Sequence, residues 1–424
     1  MGGDRVGYLV LTIVLVILIT LLTKRLRRRR ARPPLRMEAP VPTFRVVALG
    51  HQGSGKTLLL ASMYHTLRVP ADQCYFLTAA YDDVVRLNQW FDQMANTASQ
   101  DWPHSTTASQ SRMFDFTVKT RTTGILSTIM HLNYLEYAGE LLTQLNDSGG
   151  AAKDHLFATI RSADALVGVI DGYSIRQFLD GHPMGAVRLA ETLNALVPAI
   201  IEASCPVNFV ITKWDLLADL DPDENRRLSI VRNLLTSNPQ FRALVSLHSV
   251  GRVVRLIPVS AVGPGFARIG NGGIVKMPGA EVRPTNVDIP LSAVVPDLFE
   301  QIEGRLDHQH RAALHAEVRK RMFMDPVEAV ASLSAFATQV AGRVVMAAFG
   351  GPVAVVGDSL LGLFLDSRTD GTRDRQTSLD RQLSAAEEEM DQIHRARRRV
   401  LQDMHGKVLA LESRLPYSRL SEGR

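Results

Sequence analysis

Phe44-Arg45-Val46-Val47-Ala48-Leu49-Gly50-His51-Gln52-Gly53-Ser54-Gly55-Lys56-Thr57 joins a short apolar run to a glycine-rich loop. Val46 to Leu49 has the pattern of a buried strand, and Leu58-Leu59-Leu60-Ala61-Ser62-Met63-Tyr64 reads as a helix opening straight after the loop. Gly50 to Thr57 fits G-x-x-x-x-G-K-[ST]. The glycines let backbone N–H groups of Gly50, His51, Gln52, Gly53, Ser54 and Gly55 converge on a polyphosphate. Lys56 adds a positive charge at the β/γ-phosphates, and the Thr57 hydroxyl is placed to ligate Mg²⁺. A helix that begins at this point also turns its positive end toward the anion. The expected ligand is a nucleoside triphosphate.

Phe209-Val210-Ile211 runs into Thr212-Lys213-Trp214-Asp215, and Val253 to Val259 runs into Ser260-Ala261. A carboxylate at Asp215 can accept from N1–H and the exocyclic amine of guanine together, a donor pair adenine lacks. The Lys213 stem can lie over the base plane. Thr212 to Asp215 resembles the [NT]-K-x-D motif of GTPases, and Ser260-Ala261 resembles the S-A-x turn whose amide meets the guanine oxygen. GTP and GDP are therefore expected over adenine nucleotides.

Ile129 to Leu135 reads as a strand leading into Glu136-Tyr137-Ala138-Gly139-Glu140, which resembles the D-x-x-G switch of the TRAFAC class of P-loop GTPases. By that resemblance Glu136 holds hydrated Mg²⁺ and the Gly139 amide meets the γ-phosphate. Glu140 stands where Ras-like members carry the glutamine that orients water. Two departures are visible: glutamate replaces aspartate at 136, and the glutamine is missing. A competing carboxylate is Asp171, ending the apolar run Ala165 to Ile170 as a Walker B strand of other P-loop classes would. The threonine that completes the Mg²⁺ shell is sought before the strand Met113 to Val118, at Thr106 or Thr107. About 40 residues separate the first helix from these threonines, long for a connection. This insert, about 66–112, is expected to be helical over Val84 to Met94 and regulatory or partner-facing.

The resemblance implies an α/β G domain over 44–310, a doubly wound and mostly parallel sheet with the nucleotide at the carboxyl ends of the strands. Alternation of apolar strands with helical stretches such as Val187 to Ile201 and Glu224 to Leu235 points the same way. Phe266 to Arg283, rich in Gly and Pro, reads as an inserted hairpin or loop, and Ala293 to Leu306 as the closing helix.

Val6 to Leu22 is 17 residues without a charge, followed by seven basic residues between Lys24 and Arg32. This arrangement, with the basic flank after the apolar run, is that of an uncleaved transmembrane anchor over 1–23 and a cytoplasmic juxtamembrane linker over 24–43. Arg5 and Asp4 cancel, so the first 32 residues carry +7 of the net +5, and the remaining 392 carry −2. The basic character thus belongs to the anchor and suits anionic lipid rather than nucleic acid. Two cysteines, Cys74 and Cys205, suggest neither a disulfide framework nor zinc.

The region 311–424 is expected to be helical. Within it 326–365 is apolar and divided by Gly350-Gly351-Pro352, either a hairpin dipping into the membrane as in dynamin-like GTPases or a helical pair packed on itself or on the G domain. Over 378–415, Leu383, Met390, Ile393, Val400, Met404, Val408, Leu411 and Leu415 form one helical stripe, a packing face or a coiled coil. The function expected is a membrane-anchored GTPase with slow hydrolysis, switching an effector or activator at the cytoplasmic face. A membrane-remodelling GTPase and a non-hydrolysing scaffold are the alternatives.

Overall fold

β1 (Thr43–Gly50) is exposed at Thr43 and Arg45 and buried from Val46 to Gly50. The computed structural model describes residues 41–70, 73–104, 111–122, 125–137, 150–250, 252–270, 272–299, 392 and 395–421. After β1 and the glycine loop, α1 (Lys56–Leu67) follows, then the short β2 (Phe76–Ala79) and α2 (Tyr81–Ala95). β3 (Arg112–Thr122) and β4 (Ile125–Glu136) form a long antiparallel pair. α3 (Gly150–Arg161) precedes β5 (Ala165–Asp171), which is buried along its whole length. α4 (Gly172–Leu179) and α5 (Pro183–Ile201) cross over to β6 (Val207–Thr212), also wholly buried. Strands covered by helices on both faces have no solvated side, so β5 and β6 read as unbroken apolar runs instead of alternating.

A 3₁₀ turn, Trp214–Leu217, leaves β6. α6 (Glu224–Ser237) and α7 (Pro239–His248) come next, capped by Asp223 and Asn238, each of whose side chains accepts two first-turn N–H bonds. β7 (Leu256–Pro258), the hairpin β8 (Ala267–Gly270) and β9 (Gly273–Lys276), and α8 (Ile289–Ser292) complete this part. The seven-stranded sheet has the order β2-β3-β4-β1-β5-β6-β7. β1 pairs in parallel with β4 and β5, as β6 does with β5 and β7. The register Ala48↔Glu136 sets the end of β4 beside the glycine loop.

α5 is apolar and long enough to cross a membrane, but half of it is buried, with Leu189, Leu193, Leu196 and Ile200 in the core. It is a core helix. The anchor expected over 1–23, the linker up to residue 40 and the apolar stretch 326–365 lie outside the described residues, as do Leu383, Met390 and Ile393 of the apolar stripe.

The strand expected over Val253 to Val259 is shorter: only Leu256–Pro258 pairs with β6. Its outer flank belongs to the C-terminus, where Arg255 bridges Arg419 and Leu420 N–H donates to Val254 O at 2.9 Å. β2, unforeseen in the sequence, is a four-residue edge strand paired with β3. The helix over 395–414, α9, buries Val400, Met404, Val408 and Leu411 in the same core as the sheet, with Leu415 just after it. The described part of the stripe is therefore a packing face on the same core as the sheet. Arg397 and Lys407, which break the heptad, are accommodated by Phe299 under the Arg397 guanidinium and by Asp288 and Gln73 at Lys407 Nζ, 2.8 and 3.0 Å.

Arg255 and Glu412 pair at 2.7 Å with side chains 8% and 9% exposed. Glu412 is the closer of two carboxylates at Arg255, Asp297 lying 3.8 Å away, so Glu412→Ala leaves the buried guanidinium undercompensated and should lower stability by about 3 kcal/mol in denaturant unfolding. His248 is buried, with Nε2 donating to Ile200 O at 3.0 Å. Burial holds its pKa below 6.5; Ile200 O pulls it up and Arg252 pushes it further down. The unfolded chain takes up this proton first, so the stability tied to His248 is complete above about pH 6.5 and is lost as pH falls through the lower folded value. Replacing His248 with Gln should flatten the decline of melting temperature measured from about pH 7 to 5.

Candidate functional site

Gly55, the N-cap of α1, sits at φ +88°, where a side chain would be strained, and brings none to cap the helix. The first-turn N–H groups of α1 therefore point into the loop, the arrangement that favours an anion. Lys56 is 5% exposed; its Nζ lies under the loop and donates to Gly50 O at 2.8 Å and His51 O at 3.1 Å. Burial lowers its pKa to about 8, with the Glu136 carboxylate pulling the other way. Negative charge delivered to this loop would favour the protonated amine further.

Thr57 Oγ1 donates to Glu136 Oε1 at 2.6 Å. Glu136 closes β4 and is buried, so the extra methylene of glutamate delivers the carboxylate to the hydroxyl that follows the lysine. Asp171, the competing carboxylate, is engaged elsewhere. It caps α4 by accepting from Tyr173 N and Ser174 Oγ, and pairs with Lys213 Nζ at 2.8 Å. Gly172 explains how Lys213 comes so near: a Cβ there would lie 2.2 Å from Thr212 O. β5 and β6 thus leave the sheet in contact.

Thr212 Oγ1 donates to Ser54 O at 2.5 Å, and Lys213 Nζ donates to Gly53 O at 2.8 Å. Lys213 is left-handed, at φ 52°, which turns the chain so that the 3₁₀ segment carries Asp215 to the cleft. Ser260 Oγ donates to Asp215 Oδ1 at 2.5 Å and accepts from Gly263 N at 2.8 Å. Burial raises the Asp215 pKa, while the Ser260 bond, its own backbone amide and Lys213 lower it. Ala261 O accepts from Ser62 Oγ of α1 at 2.8 Å, which fastens the Ser260-Ala261 turn to the helix behind the loop.

Lys56, Thr57, Glu136, Thr212, Lys213, Asp215 and Ala261 line one cleft of about 450 Å³. Lys56, Thr57 and Glu136 stand at one part of its wall, Lys213, Asp215 and Ala261 at another. Gly53 and Gln52 border it, and Asp171 does not. No arginine lines it among the described residues. Thr106, Thr107, Gly139 and Glu140 lie outside the described residues, so the structure places none of them. Sequence reasoning missed Trp102, Tyr173 and Ile274, which also line the cleft. Only Trp102, a tryptophan before proline in a polar loop, carried a local sign. Among the described residues no cluster of His, Cys, Asp or Glu has the makings of a metal centre by itself.

No curated protein matches the chain. Residues 45–251 match the family model for Double-GTPase 2, a span that begins in β1 and ends beyond α7. The match supports a GTPase domain, GTP-binding and of α/β P-loop type, in the part of the chain that carries the glycine loop, Glu136 and Asp215.

Proposed function

We propose that this chain is a membrane-anchored GTPase that hydrolyses GTP slowly with Mg²⁺ and acts as a nucleotide-dependent switch at the cytoplasmic membrane face. The observation that carries the proposal is the shared cleft. The buried Thr57–Glu136 pair and the Asp215 carboxylate held by Ser260 open onto the same space, which Lys56 and Lys213 also line. The first is a hydroxyl and a carboxylate, hard oxygen donors suited to Mg²⁺. Thr57 would hold the ion directly and Glu136 through water, with Thr106 as a further donor, and the ion would neutralise phosphate charge.

The chain's own residues divide the remaining work. The loop amides of Gly50 to Gly55 and the Lys56 ammonium hold and orient the phosphates. Asp215 accepts from the guanine edge with Ser260 fixing its rotamer, Lys213 covers the base, and the Ala261 amide meets the guanine oxygen. Slow turnover follows from what catalysis needs: among the described residues no arginine lines the cleft, and Glu140 stands in the glutamine's place. The Gly139 amide is assigned to the γ-phosphate, so the segment from Gly139 onward would report the nucleotide state to an effector or activator. The 17 uncharged residues over Val6 to Leu22 and the basic flank support the anchor and its lipid contact.

Asp215→Asn tests the base assignment. It should weaken GTP by roughly tenfold to a hundredfold and raise XTP binding, since xanthine carries a carbonyl in place of the guanine amine. Titration with labelled GTP, XTP and ATP reads the preference, and unchanged selectivity would overturn the guanine reading. Glu136→Ala should weaken the Mg²⁺ enhancement of GTP binding by roughly 10- to 100-fold while leaving binding without metal nearly unchanged. Equal Mg²⁺ dependence in both proteins would remove Glu136 from the metal's shell.

A further inference from the structure

Lys276, the last residue of β9, is fully buried, yet its ammonium faces backbone carbonyls. Nζ donates to Gln93 O at 2.8 Å, Asn96 O at 2.9 Å and Asp101 O at 2.7 Å. Three donors meet three acceptors, the full capacity of an ammonium group. Gln93 and Asn96 lie at the C-terminal end of α2, where the helix dipole favours a cation. The lysine backbone is fixed as well: Lys276 N donates to Gln100 Oε1 at 2.8 Å and Gln100 Nε2 donates to Lys276 O at 3.2 Å. The ammonium lies 4.9 Å from the centre of the Trp102 ring, whose Nε1 donates to Ile274 O at 3.2 Å.

One side chain thus joins two segments more than 170 residues apart in sequence. Both face the nucleotide cleft. Trp102, Pro103 and His104 line it from the loop, and Ala267, Gly272 and Ile274 line it from the hairpin. β8 packs on the Trp214–Leu217 turn that carries Asp215, so this wall stands beside the Asp215 carboxylate. Lys276 itself does not line the cleft.

We propose that Lys276 is a positioning residue that assembles this wall by holding the 96–102 loop on the β8–β9 hairpin, and so sets how long a guanine nucleotide stays bound. The proposal rests on the reading of the cleft as a guanine-nucleotide site. A wall built from two segments opens when the tie is cut, and release accelerates while capture changes little. Trp102 moves with the wall, so its emission reports the assembly.

The test is stopped-flow release of a fluorescent ribose-labelled GDP from the full chain, chased with unlabelled GDP, and the same with the GTP form. Lys276→Met should speed release of both nucleotides by roughly tenfold, leave association within about threefold, and abolish the change in Trp102 emission on binding. Single-turnover hydrolysis of bound GTP should stay within about twofold of wild type, since no phosphate contact changes. Gln100 is exposed, so Gln100→Ala keeps the core intact and should move release the same way by a smaller factor; it decides the matter if Lys276→Met does not fold. Trp102→Phe serves as the emission control. Wild-type release in a folded Lys276→Met, or in Gln100→Ala if that is the readable variant, overturns the proposal. The base reading fails separately: if Asp215→Asn leaves selectivity unchanged, release of whichever nucleotide binds still judges Lys276.

Discussion

The Thr212 hydroxyl donates to Ser54 O at 2.5 Å, and the two halves of the cleft meet at that bond. β6 ends there, the glycine loop turns there, and Lys213 begins the segment that presents Asp215. The bond is possible because β5 and β6 leave the sheet so close together that only glycine fits at 172. Asp171, released by that crowding toward Lys213 and the first turn of α4, becomes a brace for the loop through Lys213 and Gly53. Glu136 then remains as the carboxylate at the Thr57 hydroxyl. One close approach of two parallel strands thereby assigns different work to two acidic residues that look equivalent in sequence.

The centre of the sheet and the glycine loop were legible because their signals are local. β5 and β6 are buried on both faces and show it in every residue, and the loop from Gly50 to Thr57 encodes its own turns. The choice between Glu136 and Asp171 was not local. Each ends a strand, and register and capping separate them: Glu136 lies opposite Ala48, while Asp171 is consumed at the start of α4. Trp102 and Ile274 escaped for a related reason. Their place in the wall depends on Lys276 meeting carbonyls far away in the chain, and a lysine in a Gly/Pro-rich stretch gives no sign of burial.

The length of β7 was misread in the same way. An apolar run from Val253 to Val259 fits a longer strand, but a strand extends only where a neighbour accepts its hydrogen bonds. β6 supplies partners from the Arg255 carbonyl to the Val259 amide, while Val254 finds its partners in the C-terminal residues, which also bridge Arg255. The chain's own tail thereby pairs the backbone just before β7, where unpaired groups would otherwise invite a second chain.

That tail also stands behind the Asp215 end of the cleft. Lys407 pairs with Asp288 at 2.8 Å, and Arg414 donates to Asn286 Oδ1 at 3.0 Å. Asn286 holds a left-handed backbone at φ 57° and donates through Nδ2 to Pro258 O at 2.9 Å. Its neighbour Thr285 exchanges both backbone bonds with Ser260, at 2.9 and 3.1 Å, and Ser260 holds Asp215. A continuous set of hydrogen bonds therefore runs from α9 to the carboxylate assigned to the base. Lys407 also donates to Gln73, just before β2 and within the insert that carries Trp102. The two segments that frame the Asp215 end of the cleft are supported from behind by one helix. Charge on that helix matters through geometry: its lysine and arginine fix Asp288 and Asn286, and those fix the strand-like pairing that aims Ser260. The C-terminal helix belongs to the nucleotide site's foundation as much as to the core it helps to fill.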